Sequence, residues 1–336
     1  MKKLIQTISF ATLVSAALLQ SCKKEEKNED HDGPKSVQEV MDNFAPDMQT
    51  FTIDPSINNT ITGKDGTKIT IPANALVDAQ GNTVTAPVTI SLKEILSLED
   101  QITSNIAAIS NEKALKSGGE FFFEAKANGQ KLNVALNSEI SVDIPTNNVD
   151  STMNVFIGEN LEPNDSVNGE VNWVKADSAF VNKDSAQNVV EVDYKLLFGV
   201  DKYVMKINDL YNTSWYNVDH YINWNNLTWT KNCKVKCNGN SSNEKIVFQI
   251  KLVYKQYGYA GWFGMNNYMQ TNEWSGIVQE EWAVGEVADV IVVGVGTESG
   301  KIYYGRLNFT IDANNIAEIT MNPISAAELE GELKSL

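Results

Sequence analysis

The sequence predicts an all-β chain: antiparallel β-sandwich domains with two short capped helices, preceded by a cleaved signal peptide and a tether. Three observations predict it. From about residue 49 onward apolar residues recur at every second position, the period of a strand with one buried face. Turn signals separate these runs: Lys64-Asp65-Gly66, Asp78 to Gly81, Asn128-Gly129 and Glu298 to Gly300. The two helical segments sit near the ends of the folded part, each behind a serine followed three residues later by a glutamate.

In chain order, Lys2 and Lys3 precede a mostly apolar stretch from Leu4 to Leu19, short for a membrane-spanning helix and laid out like a targeting segment. Residues 23–35 are charged and lack apolar periodicity, as a tether does. Ser36 and Glu39 form a capping box, and Val37, Val40, Met41 and Phe44 give the helix behind it one apolar face. Strands are expected at 51–53, 60–62, 67–71, 83–95, 121–127, 130–136 and 140–144. Asn128-Gly129 marks a two-residue hairpin, and Pro72 and Pro145 end their strands. Residues 149–190 are rich in Asn, Asp and Ser and read as a polar connector. Alternation then resumes at 203–207, 245–254, 289–295, 301–311 and 316–321. Ser325 and Glu328 form the second capping box, with Ile324 and Leu329 at its hydrophobic-staple positions. The implied organisation is a signal peptide at 1–22, tether and helix at 23–47, a β-sandwich at 48–148, the connector at 149–190 and a C-terminal β-rich domain at 191–336.

Charge narrows the partners. The chain has a formal net charge of -16, and Arg306 is its sole arginine. An acidic surface repels phosphate backbones, and bidentate arginine forks are scarce, so nucleic acid is not an expected partner. The sequence carries no P-loop, dinucleotide fingerprint or Gly-x-Ser-x-Gly elbow, and no cofactor is expected. Metal is not expected either, because His220 is the only histidine in the folded region and zinc wants about four ligands. Cys233 and Cys237 are the remaining thiol pair. On a straight strand they would stand about 13 Å apart, whereas a bend at Asn232 or Asn238-Gly239 would let them form a small loop-stapling disulfide. That disulfide is the preferred reading over a metal pair.

Six of the seven tryptophans fall between 215 and 282. Core filling is the simpler account of such a cluster. Yet Tyr257 to Gly264 breaks strand periodicity with three glycines, and a loop there would present flat rings beside the amides of Asn266 and Asn267. Tyr257, Tyr259, Trp262, Phe263, Tyr268 and Trp274 are therefore the ligand-binding candidates. No catalytic residue is assigned.

Four resemblances add to this reading. Leu19-Gln20-Ser21-Cys22 resembles the lipobox of bacterial lipoproteins, which implies cleavage before Cys22 and its lipidation; a lipid-anchored chain keeps the membrane as a partner. The Cys22-Lys-Lys-Glu-Glu order is similar to the export signal of Bacteroidetes surface lipoproteins, which implies an outer-membrane, surface-exposed location. The stretch ITGKDGTKITIPANAL, with Gly81, Val84 and the pair Gly118-Gly119, resembles a β-sandwich domain of secreted Bacteroidetes proteins. More distantly it resembles the domain shared by zonula occludens proteins, netrin receptors and ankyrins, an interaction and scaffold module. Asp150-Ser151-Thr152, Asp165-Ser166-Val167, Asp177-Ser178-Ala179 and Asp184-Ser185-Ala186 resemble the Bacteroidetes O-glycosylation acceptor, which makes Ser151, Ser166, Ser178 and Ser185 candidates. The expected function is a lipid-anchored cell-surface binding or scaffold protein without catalytic activity, its partner a protein or a glycan. The alternative is a carbohydrate-active hydrolase using an Asp/Glu pair near the C-terminal aromatics.

Overall fold

The computed structural model describes residues 33–336 except 112, 160–171, 177–179, 184–188, 193–194, 211–213, 224–227, 231–233, 240–243, 270–272, 278–281 and 313–315. The chain is all-β, with several antiparallel sheets and three short helices among the described residues. Residues 32–336 form one compact unit. Cys22, Ser166, Ser178, Ser185 and Cys233 lie outside the described residues.

Two sheets make the first sandwich. Sheet I runs Gln49–Ile53, Val88–Ile95, Lys113–Ala127, Trp215–Tyr221, Asn154–Glu159, Asn172–Lys175 and Ile109–Ser110, with Gln130–Lys131 paired to the long third strand. Sheet II runs Lys195–Phe198, Lys202–Ile207, Ile140–Pro145, Lys68–Ile71 and Asn59–Thr62. Strict alternation explains the core between them. Ile69, Ile71, Ile90, Leu92, Phe121, Phe123, Val142, Ile144, Met205 and Val218 all point into one buried cluster. Asn128 (φ 50°) and Gly129 (φ 78°) both take the left-handed conformation that a tight hairpin demands.

The sandwich does not end at residue 148. Met153, Val155 and Ile157 from the supposed connector, and Tyr203, Met205, Ile207, Tyr216 and Val218 beyond it, fill the same core. Their strands pair directly with earlier ones: Ile140 faces Ile207, and Phe121 faces Tyr216. Polar composition at 149–190 conceals two strands of sheet I, because each is short; the first buries Val155 and Ile157 in the sandwich core and Phe156 on the opposite face.

The C-terminal part is layered differently. Sheet III runs Tyr259–Met269, Ile246–Tyr254, Val287–Gly296, Ile302–Thr310 and Asn322–Ile324. One face packs on a small sheet of Glu273–Ile277, Lys234–Asn238 and Ile316–Thr320. The other face is covered by helices α1 (Val37–Asp42), α2 (Leu98–Ser104) and α3 (Ala326–Lys334), through Val37, Val40, Met41, Ile102, Leu329 and Leu333.

The two expected capping serines both work. Ser325 and Glu328 form the reciprocal box of α3, and Ile324 and Leu329 meet in the same apolar cluster. Ser36 Oγ accepts from the Glu39 amide at 3.1 Å, but the Glu39 carboxylate accepts instead from the Lys35 amide at 2.8 Å. Helix α2 is the unexpected element. Ser97 and Asp100 cap it reciprocally, and Asn105 (φ 61°) closes it. Buried Lys251, on sheet III, donates to the Ile102 carbonyl in its last turn at 2.7 Å, which supplies an orphan helix-end acceptor with a partner.

Candidate functional site

The aromatic segment does not form the expected loop. Lys255–Tyr257 is a single 3-10 turn closed by Gly258 in the left-handed conformation (φ 58°), and Tyr259–Met269 is an eleven-residue strand paired antiparallel with Ile246–Tyr254. A bulge between Phe248 and Ile250 absorbs the broken periodicity. Gly261 within this strand saves space: a Cβ there would lie 2.6 Å from the Tyr259 hydroxyl. Tyr257 and Tyr259 are half-buried against the second core, with ring centroids 6.2 and 6.4 Å from Tyr254. The strands place Trp262, Phe263 and Tyr268 on Tyr259–Met269 and Trp274 on Glu273–Ile277. Side-chain positions at 262, 263, 268 and 274 lie outside the described residues.

The disulfide is also replaced. Cys237 is a free thiol, fully buried on Lys234–Asn238, with Trp274 and Ile319 as its cross-strand neighbours. Burial pushes it up to about 12, so it carries no thiolate for chemistry. Ser151 is exposed in a turn, as an acceptor would need. The Asp150 carboxylate before it accepts from the Thr152 hydroxyl and amide and from Lys116, which hold it well below the usual carboxylate range.

A different surface gathers chemistry. A cleft of about 1020 Å³ opens where α1 leads into the first strand, the Lys64-Asp65 turn, the start of α2, the Pro145 to Asn148 loop and α3 converge. Asp47, Asp65, Glu99, Asp100 and Glu330 line it against Lys64 and Lys334, five carboxylates to two ammonium groups. Burial and the charges of Glu94 and Asp100 raise Asp65; burial leads the rise of Glu99. Lys334 is engaged by Glu330 one helical turn before it. Phe44 is the sole aromatic in the lining.

One buried acid fixes the wall. Glu94 has no exposed surface, and its two oxygens accept from Gln49 Nε2 at 2.8 Å, the Asp65 amide at 3.0 Å and the Thr67 amide at 2.8 Å. Gly63 is required above it, because a Cβ there would lie 2.3 Å from Glu94 Oε2. The turn that presents Asp65 is thus clamped from below.

Behind the cleft, Ser117 and Gly118 belong both to its lining and to a bulge in sheet I. Asn217 faces Glu120 and Asp219 faces Ser117, so the Lys113–Ala127 strand carries one residue more than its partner over this interval. Gly119 takes up the irregularity at φ 133°. The bulge turns Ser117, Glu120, Asn217 and Asp219 to the sheet face away from the sandwich core, beside Phe122 and Trp215. Glu120 and Asp219 are both fully buried. Burial raises Glu120 well above the usual carboxylate range, and the charge of Asp219 adds to it. Burial raises Asp219 too, against the opposing hydrogen bonds of Ser117, Gly118 and Asn217.

Asp219 and His220 do not form a catalytic pair. Adjacent strand residues face opposite sides, and His220 stands with Nε2 3.6 Å from Asp150 and Nδ1 2.8 Å from the Tyr221 carbonyl. Among the described residues no group of three or more His, Cys, Asp or Glu is arranged to hold a metal ion. The sequence did contain signals for what was missed: the box Ser97-Leu-Glu-Asp100, and the acid Glu120 set against the run Phe121-Phe-Phe123. No known protein family, curated protein or solved structure matches the chain.

Proposed function

We propose that the chain is a lipid-anchored surface protein that binds, without catalysis, a cationic segment of a partner protein in its acidic cleft. The observation that carries this is the charge of the lining, five carboxylates against two lysines, on a chain of net charge -16. Such a lining steers and holds positive groups, and it repels anions. Its volume suits a short peptide segment. Having Phe44 as its one aromatic, the lining favours a protein partner over a glycan, since sugar rings stack on aromatic platforms. Support for the anchor comes from the lipobox-like Leu19 to Cys22, and for display outside the cell from the acidic run behind it. Tethering beside a membrane raises the effective concentration for a partner fixed to the same surface, so a weak contact is sufficient.

The test is direct. Fluorescent oligolysine titrated into the purified chain binds saturably at low salt and weakens steeply as salt rises. A glycan array run in parallel stays blank. Binding to glycans with no response to oligolysine replaces the reading. The anchor has a separate readout: Cys22→Ala abolishes lipid labelling and releases the protein from the membrane fraction, whereas retention there removes the lipoprotein reading.

A further inference from the structure

We propose that Ser117, Glu120, Asn217 and Asp219 form a binding site for one hard divalent cation, of the calcium or magnesium class, inside sheet I. Geometry brings the four together: the Gly118-Gly119 bulge turns Ser117 and Glu120 to the same face as Asn217 and Asp219 on the paired strand. The donor set is all oxygen, two carboxylates, an amide carbonyl and a hydroxyl, which is what such cations select. With Glu120 bidentate and Asp219 bound through Oδ1 it offers five oxygens, and its two negative charges balance one divalent ion.

The independent observation is Glu120 itself. It is fully buried, and neither of its carboxylate oxygens has a hydrogen-bond partner; Asp219 Oδ1 is also unpartnered. Buried polar groups are normally satisfied, so a carboxylate with both oxygens open inside a packed sheet is an exception that a bound cation would satisfy. The rest of the cluster is oriented for one. Asn217 Nδ2 donates to Asp219 Oδ2 at 2.6 Å, which fixes the Asp219 carboxylate and turns the Asn217 carbonyl oxygen the other way. That oxygen has only a long 3.5 Å contact from the Ser117 hydroxyl. Lys116, next to Ser117 in sequence, is committed to Asp150 at 3.0 Å. Ser117 also lines the cleft, which gives an ion a route from solvent.

The experiment uses the full chain stripped with chelator, titrated with calcium or with magnesium at mildly alkaline pH and followed by calorimetry and thermal melting. One saturable site and a raised melting temperature are expected. Glu120→Gln and Asp219→Asn each weaken binding by at least about tenfold and lose the thermal shift, while exposed Glu318→Gln retains both. Absence of a saturable site at millimolar calcium and magnesium in the unmodified chain overturns the proposal, as does unchanged binding in either variant when folded. Should both variants fail to fold, terbium bound to the unmodified chain decides. Trp215 lies two residues from Asn217 on the same strand face, so tryptophan-sensitised emission that calcium displaces is expected, and emission that calcium leaves unchanged overturns the site. The oligolysine titration is independent of this one, so either result stands without the other.

Discussion

Glu94 and Glu120 sit on adjacent strands, one register step apart, and both are fully buried. They differ in what surrounds them. Glu94 points to the sandwich side and gathers three donors from the strand and turn beneath the cleft. Glu120 points to the opposite face, has no donor for either oxygen, and lies against the acid Asp219. Burial alone therefore does not assign a role to an acid. A carboxylate that meets several N–H groups is a structural clamp, and one without them is held at a cost that only a ligand or a proton relieves.

Substitutions at the two positions should separate by sign. Glu94→Ala leaves three donors without their acceptor and is expected to destabilise the fold by roughly 3 kcal/mol or more, read from chemical denaturation. Gly63→Ala drives a Cβ into the Glu94 carboxylate and is expected to cost about 1–3 kcal/mol, with the Asp65 turn displaced. A Gly63→Ala variant as stable as the parent would show that the clamp is slack. Lys251 supplies a third buried charge, held by the Ile102 carbonyl and pushed by burial down to about 7 from 10.5. Between those values the unfolded chain binds the extra proton, so Lys251 makes stability rise with pH in that window and adds no slope below it. Lys251→Met should flatten the slope by up to about 1.4 kcal/mol per pH unit. An identical slope in parent and variant denies that this amine is desolvated. The smallest effect is expected at Glu120→Gln, which in chelator should leave stability within about 1 kcal/mol of the parent or raise it, since it removes a buried, unpartnered carboxyl group without stranding a donor.

The sequence made the local features legible. Asn128-Gly129, the Ser325 box and the inward alternation at Ile69 and Ile71 or Val142 and Ile144 are each decided within a few residues, by turn conformation, capping or strand period. Helix α2 shows how such a signal is hidden: its capping box at Ser97 follows directly on the Val88–Ile95 strand, so the change of period has no apolar gap to mark it. What depends on distant pairing was not legible. Phe121 meets Tyr216, and Lys234–Asn238 runs parallel to Ile316–Thr320, across separations that no local pattern encodes. The cleft is of this kind, since Asp47, Asp65, Glu99 and Glu330 come from four separate segments. Aromatic clustering drew attention to 257–274 instead, where Tyr257 and Tyr259 serve packing.

The cleft is best tested by reversing its charge at two exposed positions. Asp47→Lys combined with Asp65→Lys replaces two carboxylates of the lining without touching Glu94 or the bulge. Titrated with oligolysine at low salt, the parent chain should bind saturably and the doubly reversed chain should not bind measurably, while both unfold at the same denaturant concentration. Equal binding by the two would contradict the assignment of the acidic cleft as the place where this protein holds its partner.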